Sequence, residues 1–473
     1  MSGLVKNNDE LPEGWIIKKL DDACNIIMGQ SPPGNTYNKD KSGLPFFQGK
    51  AEFGVRYPTV VKWCSKPKKV AYKNDVLISV RAPVGPTNIA SSDCCIGRGL
   101  AVIRPLEGTD YLYVFYYLRS IEHELAQMGT GSTFKAISGS DLKSLLFPVA
   151  PTNEQHLIVS ELEKQFSRLD EAVAALKRIK ANLKRYKTSV LKTAVEGKLT
   201  EEWRKQNPDI ESADKLLERI KKERSLRGVE RRSKLRGKEE IASPLARKDN
   251  LPELPKGWAW ARWETILSFE EGAFRRGPFG SSIKKSFFVG SGYKVYEQYC
   301  PINDDCSFGR YFISNEKYKE LEAFSVRAKD FLISCSGTMG RITQVPEKHE
   351  EGVINQALLR VRINNHVIDD IYFKMLFRSP YFQKRIFDNA TGSAIQNVKG
   401  VNELKAIPLP LPPLEEQKEI IKVIEERMSV ILEVEKQAET NLKRAERLRQ
   451  AILKKAFSGR LVPQSQLQER ASA

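Results

Sequence analysis

A stretch of about fifty residues occurs twice in this chain. Pro151–Leu199 returns as Pro413–Leu461 at a constant offset of 262, without a gap. Pro151/Pro413, Glu154/Glu416, Gln155/Gln417, Glu163/Glu425, Arg185/Arg447, Leu191/Leu453, Lys192/Lys454, Ala194/Ala456, Gly197/Gly459 and Leu199/Leu461 are identical pairs. A long unit repeated far apart makes internal duplication the first constraint on the fold. Each copy opens with proline and acidic residues, closes with lysine and glycine, and so reads as one long helix.

The helices carry a seven-residue apolar repeat. Leu162, Leu169, Leu176, Leu183 and Val190 mark the first copy; Ile424, Ile431, Ala438, Ala445 and Ile452 hold the same phase in the second. A second row runs through Phe166 and Val173, then shifts to Ile179 and Tyr186. A 3.5-residue seam over four heptads predicts a coiled coil. Some 43 helical residues span about 65 Å, too long for the core of one small domain. Antiparallel pairing sets Leu169 against Ala445 and Leu176 against Ala438, large against small. The alternative is that each helix pairs with its own copy in a dimer.

The duplication extends into the intervening sequence. Leu11–Trp15 (LPEGW) is matched by Leu254–Trp258 (LPKGW), Asp75–Ser79 (DVLIS) by Asp330–Ser334 (DFLIS), and Ile96–Arg104 by Ile354–Arg362. Gly85 and Gly340 lie at the same distance beyond, Leu118–Ser120 parallels Phe377–Ser379, and Thr130–Ser132 parallels Thr391–Ser393. Runs such as VLISV, AVIRP, FLISC and LLRVRI are β-like between Gly- and Pro-rich loops. YLYVFYYLRSIEHELAQM and DIYFKMLFRSPYFQKRIF have helical spacing, and the contiguous aromatics of the former belong in a core. The expected fold class is α+β: two mixed α/β globules separated along the chain by two long antiparallel coiled-coil helices, with an internal pseudo-two-fold repeat. The expected boundaries are a polar tail at 1–10, globules at 11–150 and 251–412, long helices at 151–200 and 413–461, a linker at 201–250 and a polar tail at 462–473. Ser212, with Asp214 in the first turn, is placed to cap a short helix in which Glu218 meets Lys222. Arg204 to Lys248 holds 15 basic and 8 acidic residues, so the rest of this linker reads as a basic, partly disordered tether.

Lys plus Arg exceed Asp plus Glu by 77 to 59, a net +18. Such a surplus favours a polyanionic partner, nucleic acid before membrane. The seven cysteines form no C-x-x-C pairs, which points to a reducing cytoplasm. The N-terminus lacks a signal-peptide core, and the most hydrophobic run, Tyr111–Leu118, is too short to cross a bilayer. No phosphate-binding G-x-x-x-x-G-K-[ST] loop and no strand-linked G-x-G-x-x-G occur. His123, His156, His349 and His366 have no metal-ligand spacing. Ser31–Gly34 (SPPG) resembles the signature of amino-methyltransferases, but Gly34 stands where an aromatic clamp is required.

What remains suits the holding of DNA. Loops rich in Gly, Ser and Thr carry Gln30, Asn35, Arg81, Asn88, Arg98 and Lys135 in the first globule. Those of the second carry Arg275, Arg276, Lys284, Lys285, Arg341, Gln396 and Lys399. Gly admits phosphate close to the backbone, and Arg and Gln offer the paired donors that read base edges.

Together the doubled LP-x-GW openings, the D-x-L-I-S segments, the TGS loops, the P-L-P-P-L-E-E-Q entry at Pro410–Gln417 and the paired helices resemble the specificity subunit of type I restriction–modification enzymes over about residues 11–463. The resemblance implies two target-recognition domains reading an asymmetric bipartite sequence in double-stranded DNA, with an unread spacer. It implies two methyltransferase subunits docked on the helices, restriction or motor subunits beyond them, and no membrane partner. The chain itself would be non-catalytic and bind no cofactor or metal, with S-adenosylmethionine, ATP and Mg²⁺ used on the partner subunits. Two readings from other classes are a stand-alone DNA methyltransferase or nuclease, and a structural coiled-coil scaffold.

Overall fold

The computed structural model describes residues 11–130, 135–229, 251–336, 338–386, 404–405 and 407–463. The chain forms two compact units: Met1–Ile179 with Gln437–Ala473, and Lys180–Lys436. Each long helix, Thr152–Val195 and Leu414–Phe457, gives part of its length to each unit. The expected boundaries instead made each helix a segment of its own.

In the first unit Ile16–Lys19 pairs antiparallel with Leu146–Val149. A four-stranded antiparallel sheet runs Cys24–Met28, Leu100–Pro105, Val76–Ser79, Thr87–Ile89. A five-stranded sheet runs Tyr37–Asn38, Trp63–Cys64, Leu44–Phe47, Cys94–Ile96, Val70–Ala71, with Leu44–Phe47 and Cys94–Ile96 parallel. The second unit repeats this plan. Ala259–Arg262 pairs with Pro408–Leu411, and a four-stranded sheet runs Phe274–Arg276, Leu358–Val361, Phe331–Ser334, Ile342–Gln344. A further sheet runs Phe288–Val289, Phe312–Ile313, Tyr293–Tyr296, Gly352–Ile354, its last pair parallel. The VLIS and FLIS strands are buried at every position, which is why they read as unbroken apolar runs.

The aromatic helix Tyr111–Ser120 is core, as expected: Tyr113 through Leu118 are buried. Asp110 caps it by accepting from the Leu112 and Tyr113 amides, and Asp369 caps Asp370–Arg378 the same way. The Tyr113 hydroxyl donates to Pro148 O (3.0 Å) and that of Tyr372 to Pro410 O (3.1 Å), tying each helix to the strand ahead of a long helix.

Each unit closes at a junction built from repeated residues. Gln155 Nε2 donates to Gly108 O and Ala150 O, and its Oε1 accepts from the Asp110 amide. Gln417 makes the same three bonds, to Val367 O, Pro412 O and the Asp369 amide. Gly197 and Gly459 end the two long helices at φ +68° and +69°, where a side chain is strained. A Cβ on either would also collide with the LP-x-GW proline, Pro255 or Pro12. In the second unit Glu416 is wholly buried, accepting from Thr200 Oγ1 (2.6 Å) and from Arg204 Nη2 (2.6 Å) and Nε (3.1 Å).

Leu162 and Ile452 share one buried cluster in the first unit, and Val190 and Ile424 share one in the second. Arg449 binds Asp170 and lies 4.6 Å over the Phe166 ring. These contacts fit antiparallel pairing within each unit. Ile431, Ala438 and Ala445 are buried, while Leu169, Leu176 and Leu183 are half-buried, as a narrow two-helix seam allows. The second row departs from expectation. Ile179 and Tyr186 are 41% and 46% exposed, because the shift in phase carries them off the seam.

The tether reading also requires correction. Ala213–Val229 is the helix expected after Ser212, and Glu201–Gln206 is a further one. Ala213, Leu216 and Ile220 enter the core of the second unit, and the Ala213 amide donates to Gly257 O (2.9 Å). Residues 230–250 lie outside the described residues. Among the described residues no helix is long and apolar enough to cross a membrane.

Arg204→Ala leaves the Glu416 carboxylate buried beside Thr200 alone, a change expected to cost about 3–5 kcal/mol. Replacing the exposed Lys205, which pairs with Glu201 and Glu202 at the surface, is expected to cost nothing measurable. Urea denaturation of the two variants checks this ordering.

Candidate nucleic-acid interface

Sheet topology gathers residues that are far apart in sequence. In the first unit's four-stranded sheet one end comprises the turn after Met28, the turn before Leu100 and the loop after Ser79. The Gly29 amide donates to Leu100 O, the Gln30 amide to Ile96 O, and the Val80 amide to Gly99 O. Gln30, Arg98 and Arg81 therefore share that end, and all are exposed. Lys135 joins them, since Lys135 O accepts from the Ala82 amide. Gln48, which sequence reasoning missed, lies in the same cluster. Its amide exchanges hydrogen bonds with Ser31 Oγ (2.9 and 3.3 Å), and Ser31 Oγ accepts from the Arg98 amide (3.2 Å).

The second unit repeats the construction with other side chains. The Gly277 amide donates to Leu358 O, the Cys335 amide to Ala357 O and the Gly340 amide to Ser334 O, matching Gly29, Val80 and Gly85. Arg276, Arg341 and Gln356 stand at this end, all exposed. Gln356 occupies the place of Arg98 and was also missed; the alignment of Ile96–Arg104 with Ile354–Arg362 was the signal available. Asn35 belongs to the turn Gly34–Thr36 that leads into Tyr37–Asn38. Lys284 precedes and Lys285 opens the equivalent turn, Lys285–Phe287, ahead of Phe288–Val289. All three are exposed. The carriers of charge and of amide donors differ between the two ends, whereas the backbone bonding does not.

Two expected contacts are otherwise placed. Asn88 is 1% exposed within a strand, and its Nδ2 donates to Gly54 O (2.9 Å) and Thr87 O (3.0 Å), so it cannot reach a base edge. Its loop-like sequence context hid a structural amide. Arg275 is half-buried with its guanidinium 5.7 Å from the Phe324 ring centre, which leaves Arg276 as the outward member of the pair. Gln396 and Lys399 lie outside the described residues, as does most of each TGS loop.

The D-x-L-I-S aspartates are structural. Asp75 accepts from Arg104 Nη2 (2.7 Å) and Nε (3.0 Å) and from the Tyr72 amide; Asp330 accepts from Arg362 Nε (2.7 Å) and Nη2 (3.1 Å) and from the Arg327 amide. The hydrogen bonds to Asp75 raise the Arg104 guanidinium above its ordinary value. Burial pulls Arg362 down, but its hydrogen bonds to Asp330 and the charges of Asp330 and Glu270 together more than offset it, and the net shift is upward. Arg360, 2% exposed, is drawn down to about 10 by burial and by Arg362 beside it, and donates to Gly272 O and Ala323 O. Arg360 and Arg362 are buried, and so add to the net charge without facing a partner. Among the described residues no three His, Cys, Asp or Glu side chains gather as a metal-ligand set.

Comparison with known proteins agrees with this duplicated layout. The profile of the type I restriction modification DNA specificity domain matches residues 12–185 and 283–444. The protein assigned as the type I restriction enzyme MjaX specificity subunit of Methanocaldococcus jannaschii is 42% identical over 193 residues, which are 40% of this chain and 44% of that protein. The chain thus spans less than half of that relative. The EcoBI specificity subunit of Escherichia coli is 25% identical over 98% of this chain and 89% of its own. Among solved structures, a chain from work on complex assembly and conformational transition of the type I R-M system superposes with TM-score 0.65 at 18% identity, covering 95% of this chain and 99% of that one. The HsdS subunit from Thermoanaerobacter tengcongensis gives 0.54 at 19% identity, covering 97% and 100%. At such identities the structures show a shared fold.

Asn88→Ala is expected to cost about 1–3 kcal/mol of stability, since it strips the partner from Gly54 O. Arg81→Ala and Arg98→Ala should stay within about 0.5 kcal/mol of the parent. Thermal unfolding of the three variants tests the division between structural and outward-facing residues.

Proposed function

Since the chain belongs to the type I restriction–modification DNA specificity family, we propose that it reads a two-part sequence in double-stranded DNA and itself catalyses nothing. The observation that carries this reading is the repeated sheet end. One backbone frame presents Gln30, Arg81 and Arg98 in one unit and Arg276, Arg341 and Gln356 in the other. Arginine pairs with guanine edges and glutamine with adenine edges in the major groove, while the remaining cations serve phosphates. Unlike side chains on like frames favour an asymmetric target with two different half-sites. A two-fold-like reader contacts half-sites about 34 Å apart, one helical turn, and leaves the bases between them unread.

The long helices are the docking surface for two methyltransferase subunits in this account. Val430 and Leu432 are 64% and 56% exposed on the second helix, apolar area of the kind a partner covers. S-adenosylmethionine, ATP and Mg²⁺ belong to those subunits and to restriction or motor subunits. The seven buried free thiols suit the reducing cytoplasm.

The chain, co-expressed with its methyltransferase subunit and presented at fixed salt with a randomised duplex pool, is expected to enrich a two-part motif with an unread spacer. Salt-sensitive binding without a motif, with the partner confirmed bound, would contradict sequence reading, because phosphate contacts alone give such behaviour.

A further inference from the structure

Phe279 is 88% exposed, the barest large apolar side chain among the described residues. Its backbone, by contrast, is tightly held. Gly277 is pressed against the Asn355–Gln356 turn so closely that a Cβ would strike Asn355 O, and its amide donates to Leu358 O (2.8 Å). Pro278 follows with a fixed φ, and the Ser282 amide closes the turn on Phe279 O (2.8 Å). A rigid turn therefore presents one aromatic ring to solvent from the sheet end that carries Arg276, Arg341 and Gln356. Lys284 and Lys285 follow five and six residues on.

The matching turn of the first unit differs. The amide bonds of Gly29 and Gly277 to Leu100 O and Leu358 O align the two turns, so Ser31 takes the place of Phe279. Ser31 is small, polar and tied to Gln48 and to the Arg98 amide. The asymmetry is one of shape as well as of donors.

We propose that Phe279 is an apolar wedge that enters the base stack of the half-site bound by the second unit, while the matching turn of the first unit, with Ser31 in that place, inserts none; this rests on the DNA-reading function proposed above. Its neighbours fix the occupant. A protein pocket for a lone phenylalanine would want an apolar collar, whereas the exposed residues that share this sheet end and the following turn are Arg276, Arg341, Gln356, Lys284 and Lys285, whose groups suit phosphates and base edges. A base step offers a flat apolar slot flanked by negative charge, and apolar side chains that enter one partly unstack and kink the duplex. Pyrimidine–purine steps open most readily, so the second half-site should contain one at a fixed position.

The test uses the full chain with its methyltransferase subunit, as the parent, Phe279→Ala and Phe279→Leu. Each complex is taken through the randomised-duplex selection, and the sequence enriched by the parent is scanned with 2-aminopurine. The expected result is a fluorescence rise at one step of one half-site, lost in Phe279→Ala together with about tenfold in affinity and largely kept in Phe279→Leu. A parent that enriches a two-part motif while Phe279→Ala binds it equally well, with the same fluorescence profile, overturns the wedge and leaves the reading of DNA intact. Failure of Phe279→Ala to retain the methyltransferase subunit also overturns it, placing the ring in a protein interface. A parent that enriches no motif overturns the functional reading itself, and the wedge with it.

Discussion

The fully buried carboxamide at the start of each long helix is the interaction on which the rest depends. Gln155 and Gln417 each satisfy two carbonyls and one amide, and that amide belongs to the aspartate capping the aromatic core helix. One side chain thus fixes the start of the long helix, the strand before it and the core helix together. A buried amide of this kind is costly to disturb, because each orphaned partner forfeits about 1–3 kcal/mol. The glycine ends of the helices complete the junction: Gly459 lies under Pro12 and Gly197 under Pro255, so each LP-x-GW turn is seated on the long helix that does not follow it directly.

This wiring explains why duplication is so visible in the sequence. The residues identical in both copies include those that hold: the junction glutamines and glycines, and the Asp75–Arg104 and Asp330–Arg362 pairs. Positions that are equivalent but different, Arg98 against Gln356 and Ser31 against Phe279, stand on turns with matched backbone bonds. A frame that tolerates such changes lets recognition diverge while packing stays constant.

The duplication, the strand runs, the aromatic core helix and the antiparallel seam were legible because each is a periodic signal. The helix after Ser212 was legible from its acidic first turn, but its seat in the core was not. Its core contribution is three residues, Ala213, Leu216 and Ile220, within a segment dominated by charge, and a stripe that thin is outweighed by composition. Ile179 and Tyr186 failed for the opposite reason, apolar residues whose phase takes them off the seam. At the interface, local sequence identified Gln30, Arg81, Arg98, Arg276 and Arg341 as loop residues with suitable donors. It could not show that strand order brings those of each unit to one end of its own sheet, nor that Gln48 and Gln356 belong at those ends. Asn88 shows the converse limit, since a donor in a Gly- and Pro-rich stretch can still be spent on the backbone.

The most direct test of the central claim, that the sheet ends read bases while the repeated motifs only hold, is a single exchange. Arg98→Gln gives the first unit the residue that the second unit carries at the same place. In a randomised-duplex selection with the methyltransferase subunit bound, the account predicts that one half of the motif changes, losing guanine in favour of adenine, while the other half and the spacer persist. An unchanged motif at unchanged affinity, or an alteration spread over both halves, would contradict it.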